Sequence, residues 1–102
     1  MLILLSVSTN AYSDEETSWG KVIEVWSGYN NGMVLFKLDI PHENPKNCSA
    51  STFYSVNSDK ADTSKFLSIL LTAKTTGDPV KLMLSTTECF SNYPMALRIG
   101  VR

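Results

Sequence analysis

The stretch Lys65–Leu84, KFLSILLTAKTTGDPVKLML, reads as a helix that halts at a glycine and turns directly into a strand. Phe66, Leu67, Leu70, Leu71 and Ala73 recur at helical spacing, which predicts an amphipathic helix from about Asp62 to Lys74. Upstream, Asn57-Ser58-Asp59-Lys60-Ala61-Asp62 supplies side chains that accept from the free amides of a helix start. Downstream, Gly77 suits a left-handed cap, and Asp78-Pro79 prevents continuation. Val80, Leu82 and Leu84 then alternate with Lys81 and Met83, the period of a strand.

The remaining segments are short and alternating. Lys21–Trp26 (KVIEVW) reads as a strand, Ser27–Gly32 (SGYNNG) as a turn, and Met33–Ile40 (MVLFKLDI) as a second strand. In that strand Val34, Phe36, Leu38 and Ile40 share one face. Pro41 and Pro45 cannot donate to a ladder, so Pro41–Ala50 reads as a loop, followed by a third strand at Thr52–Val56. After the helix and the fourth strand, Ser85–Pro94 (STTECFSNYP) reads as a loop, and Met95–Arg102 as a fifth strand.

The order is therefore β-β-β-α-β-β. That is the order of the OB-fold, a partly open five-stranded barrel whose helix lies between strands three and four and plugs one end. The expectation is a mainly β, OB-fold-like domain over residues 19–102. Residues 14–18 are read as a flexible N-terminal segment, with paired acids at Glu15-Glu16.

The first thirteen residues differ in composition from the rest. Leu2–Val7 is apolar, Ala11 and Ser13 are small residues three and one before a cut, and charge begins at Asp14. This predicts a secretory signal peptide over 1–13, without the usual basic start; an apolar N-terminal strand or tail is the other reading. No run approaches the roughly 20 apolar residues that span a bilayer. Secreted or periplasmic localisation follows from the leader reading.

Cys48 and Cys89 are the two cysteines. In an exported chain an even count favours a disulfide, the alternative being two buried thiols. In the OB order, strands three and five run side by side, so Cys48, ahead of strand three, and Cys89, between strands four and five, fall at the same end. A bridge there needs no contortion.

The segments TTGDPVKLML and WGKVIEV, with a cysteine before strand three and a second after strand four, resemble small exported bacterial proteins of the kind that includes the pentameric glycan-binding subunit of subtilase cytotoxin. The likeness spans about residues 19–102. It implies an exported OB-fold, sugar recognition and a homo-oligomeric, pentameric ring. Trp19, directly before Gly20, stands where that subunit has a small hydroxyl residue that helps hold its sugar; the indole suits stacking on a different sugar and does not reproduce the hydroxyl contact.

His42 is the one histidine, near Asp39 and Glu43, too sparse a set for a metal centre, and it reads as a solvated loop residue. The scattered serines lack a base, no glycine-rich phosphate cradle occurs, and no cofactor is implied. The expectation is a non-enzyme. Nine Lys and Arg against ten Asp and Glu is a poor balance for neutralising a phosphate backbone, so nucleic acid is disfavoured, with Arg98 and Arg102 as its main supporters.

OB-folds bind through strands two and three and the loops that flank them. Here those loops carry rings beside amides: Trp26, Tyr29, Asn30 and Asn31 in one, Phe90, Asn92 and Tyr93 in the other. Ring faces stack on apolar C–H patches and amides bond hydroxyls, so this set is the candidate surface for a glycan or protein partner. The competing readings are that Trp26 and Tyr93 only cover the barrel ends, and that the protein is an accessory of the envelope without a small-molecule site.

Overall fold

A computed structural model describes residues 14–102. The leader reading of 1–13 lies outside the described residues. Six strands and one helix succeed one another: β1 (Asp14–Glu16), β2 (Val22–Trp26), β3 (Val34–Leu38), β4 (Tyr54–Val56), α1 (Thr63–Thr76), β5 (Val80–Phe90) and β6 (Tyr93–Val101). They form one sheet in the order β1-β5-β6-β4-β3-β2.

All neighbours are antiparallel except β4 and β6, which run parallel with Ser55 opposite Met95. The expected parallel pairing of the third and last strands is thus present. The expected count and closure are not. The sheet has six strands rather than five and its ladders do not close into a barrel. The added strand is Asp14–Glu16, which the sequence reading assigned to a flexible segment. Its residues pair with Ser85, Leu84 and Met83 of β5, and Lys81 Nζ holds Glu16 at 3.3 Å. An unpaired strand edge leaves amides and carbonyls to be satisfied, and here β1 satisfies them in spite of its unstrandlike composition.

The chain continues along that edge, with the Thr17 amide donating to the Leu82 carbonyl at 2.9 Å. A single isolated bridge, Gly20 with Val80, is the last contact before β2 departs to pair with β3. The two ends of the sheet therefore approach each other at one point.

The helix begins and ends where its side chains dictate. Asp62 is the N-cap, its carboxylate accepting from the Lys65 amide, and Gly77 closes the helix at φ 80°, its amide donating to the Ala73 carbonyl. Phe66, Leu70 and Ala73 face inward, while Leu71, expected on the apolar face, is 48% exposed. The core joins these to Val34, Phe36, Leu38, Tyr54, Val56, Val80, Leu82 and Leu84, the inward faces of the strands.

Cys48 and Cys89 form the expected disulfide, with Cα atoms 5.9 Å apart. The last hairpin is longer than expected. Most of Ser85–Pro94 is strand, and the turn is only Ser91-Asn92, at φ 52° and 71°. Two successive positive φ values match the right-handed twist of a two-residue hairpin, which asparagine tolerates well. Three extra residues of β5 are absorbed between Leu84 and Cys89, where Ser85 Oγ accepts from the Thr87 and Glu88 amides at 3.2 and 3.0 Å.

Candidate functional site

The twisted sheet brings three of the sequence-predicted residues to one place. Trp26 ends β2 and stands opposite Leu35 of β3. Tyr29 opens the following turn, its carbonyl accepting from the Gly32 amide at 2.9 Å. Glycines at φ 98° and 78°, Gly28 and Gly32, make that turn tight enough to return Tyr29 toward the sheet. Tyr93 opens β6 directly after the Ser91-Asn92 turn. Together with Glu24, Leu35 and Phe53 they line an open groove of about 270 Å³.

Its floor is Leu35. This residue lies on the face of β3 opposite to Val34 and Phe36, outside the main core, and yet it is only 6% exposed. The surrounding rings are what shield it. Its neighbours are held as well: Phe53 meets Tyr93 edge-on at 6.1 Å, and the Phe53 carbonyl accepts from His42 Nε2 at 3.0 Å. His42 in turn stacks on the buried Tyr54 at 4.6 Å. His42 is therefore a packing residue of the loop rather than a solvated one, and it anchors a wall of the groove.

Polarity enters through one carboxylate. Glu24 Oε2 accepts from the Trp26 indole Nε1 at 2.6 Å, and Lys37 Nζ stands 3.8 Å from Glu24 Oε1. The same ammonium lies 5.3 Å from the centre of the Phe53 ring. Indole, carboxylate, ammonium and phenyl thus form a chain across β2, β3 and the residue that leads into β4, and it fixes each member. A carboxylate with both oxygens held still has lone pairs for ligand hydroxyls. Trp26 remains 53% and Tyr29 40% exposed, so their faces are open to a partner.

The other predicted residues do not line this groove. Asn31 spends its side-chain oxygen on the Met33 amide at 3.0 Å, stabilising the turn. Asn30 is exposed beside it. Phe90 is half-buried and its carbonyl accepts from Ser55 Oγ at 3.2 Å, while the Asn92 carbonyl accepts from the Ala50 amide at 2.8 Å. Trp19, considered for sugar stacking, carries two cations instead: Lys81 Nζ is 5.2 Å and Arg102 Cζ 4.4 Å from its ring centre.

Sequence reading missed Glu24, Leu35 and Phe53. One signal was available for the first: Glu24 and Trp26 are two apart on a strand, hence on one face. Phe53 had none, because its place depends on the parallel β4–β6 contact.

Among the described residues no group of three or more His, Cys, Asp and Glu is placed to hold a metal, and no helix is long and apolar enough to cross a membrane. The chain matches no family model and no curated protein.

Proposed function

We infer that this protein is an exported, non-catalytic binding module of the OB-fold type, recognising a glycan through the Trp26–Tyr29–Tyr93 groove. The OB-type reading is supported by the parallel β4–β6 pair, the helix between β4 and β5, and the Gly20–Val80 bridge where the sheet ends approach. Export is supported by a disulfide that is compatible with an oxidising compartment.

The observation that carries the ligand class is the combination of exposed rings with a carboxylate fixed by Trp26 and Lys37. Rings accept the apolar C–H face of a pyranose, and a held carboxylate accepts from its hydroxyls without losing much side-chain entropy on binding. A protein partner would use the same rings as anchors. The resemblance seen in the sequence adds a ring of identical subunits to this proposal.

A glycan array and a pull-down with the disulfide-intact domain test the reading together. Retention of a sugar that Trp26→Ala weakens at least about tenfold, near 1.4 kcal/mol, supports it. A protein captured through the same residues moves the proposal to the protein partner. Silence in both assays with the fold intact leaves the accessory envelope role as the better account.

A further inference from the structure

The aromatic groove is uneven in charge. Of the six residues that line it, Glu24 alone is charged; the others are four rings and Leu35. Glu24 stands opposite Lys37 across the β2–β3 ladder, which is why a cation sits behind the carboxylate rather than in the lining. The Glu24 side chain is 40% exposed, so whatever enters the groove meets a carboxylate.

An acidic ligand needs donors, and those nearest the groove are committed. Trp26 Nε1 donates to Glu24 Oε2 at 2.6 Å, and His42 Nε2 bonds the Phe53 carbonyl at 3.0 Å. Lys37 Nζ stands 3.8 Å from Glu24 Oε1 and 5.3 Å from the centre of the Phe53 ring. Beyond these, the lining offers the Tyr29 and Tyr93 hydroxyls as side-chain donors. A sugar carboxylate drawn to Lys37 would come to rest beside Glu24, and like charges placed together weaken binding. An uncharged sugar meets no such conflict, because its hydroxyls donate to Glu24 while its C–H face lies on a ring.

The volume, about 270 Å³, falls below the roughly 300–1,000 Å³ of clefts that enclose drug-sized ligands, and suits one sugar residue at a time. Resting on the glycan reading of this groove, we propose that it takes a single uncharged sugar residue and discriminates against acidic sugars. Glu24 is the residue that sets this preference.

The test presents the disulfide-intact protein with neutral oligosaccharides and counterparts that differ by one negative charge. One set replaces the terminal hexose by its uronic acid; the other adds a terminal sialic acid. Neutral members are expected to bind at least about tenfold more tightly than their acidic counterparts, and rising salt should shrink that ratio by screening. Glu24→Gln keeps an oxygen for the indole and should bring the ratio to within about threefold. A variant that weakens both members and leaves the ratio unchanged overturns the role given to Glu24. Acidic members bound as tightly as neutral ones overturn the proposal while the glycan reading stands. Retention of neither by the folded protein overturns the glycan reading itself. Should Glu24→Gln fail to fold, the parent's ratio and its salt dependence decide.

Discussion

Gly20 and Val80 exchange both backbone hydrogen bonds, at 2.9 and 2.7 Å, and among the described residues this pair is the one isolated bridge, joining the approach to β2 with the start of β5. It requires glycine. A Cβ at position 20 would lie 2.9 Å from Ile40 Cγ2 and 3.2 Å from Asp39 Oδ1, and Asp39 Oδ1 already accepts from the Lys21 amide at 2.7 Å. Gly20→Ala is therefore expected to cost about 1–3 kcal/mol by overpacking, read from chemical denaturation. Gly100→Ala, with open space above it, should be close to neutral. Equal effects would mean that the approach at Gly20 is not tight.

The disulfide clasps the loop ahead of β4 to the end of β5. Cys48 is pre-positioned for it: its amide donates to Asn44 Oδ1 at 2.7 Å and its carbonyl accepts from Asn44 Nδ2 at 2.8 Å. With the two cysteines 41 positions apart in sequence, the chain-entropy model assigns the bridge about 4 kcal/mol. Reduction should lower the thermal midpoint substantially, and Cys48→Ser with Cys89→Ser should reproduce that drop. An unchanged midpoint would show that the bridge contributes little.

Gly77 caps α1 at φ 80° with nothing within 4 Å of a Cβ, so the penalty for a side chain there is conformational rather than steric crowding. Gly77→Ala is expected to cost about 1 kcal/mol, and Gly77→Val more, because a β-branched residue resists the left-handed region. Loss of helical circular dichroism at lower denaturant would report it.

Burial raises the Tyr54 phenol above its ordinary value of 10.0 despite the Glu43 amide, which donates to its oxygen. The folded state holds the proton more tightly than the unfolded one, so this contribution is complete below pH 10 and is lost as pH rises through the raised folded value. Unfolding free energy should therefore decline above that pH. Tyr54→Phe should start lower, by about 1 kcal/mol for the lost acceptor, and decline less steeply. Parallel curves would place the alkaline weakness elsewhere.

Glu24→Gln offers a test of the groove's wiring. The substitution keeps an oxygen for the Trp26 indole but removes the charge that faces Lys37. Both partners are substantially exposed, so stability should change by less than about 1 kcal/mol. Any glycan affinity should fall by more than that, measured on the ligand the array identifies. The reverse ordering would make Glu24 a structural residue only.

Much of the architecture was legible because it is written in local terms. Asp62 and Gly77 bracket the helix through bonds that span three or four residues, so composition alone located both ends. Val34, Phe36 and Leu38 face the core at period two, a pattern one strand carries by itself. Even the cysteine pairing followed, since strand order puts the start of β4 and the end of β5, and with them Cys48 and Cys89, at one end.

What the tertiary structure decided is whatever depends on an edge or on a meeting of distant segments. Asp14–Glu16 has no strand signal, and becomes a strand because β5 offers amides and carbonyls that would otherwise go unpaired. The groove is assembled from β2, its turn, β3, the approach to β4 and the start of β6, joined by a parallel pairing that no local period encodes. Side-chain pattern specifies each element's inward face; which outward faces converge is set by the sheet's twist and order, and these exist only once the core has formed.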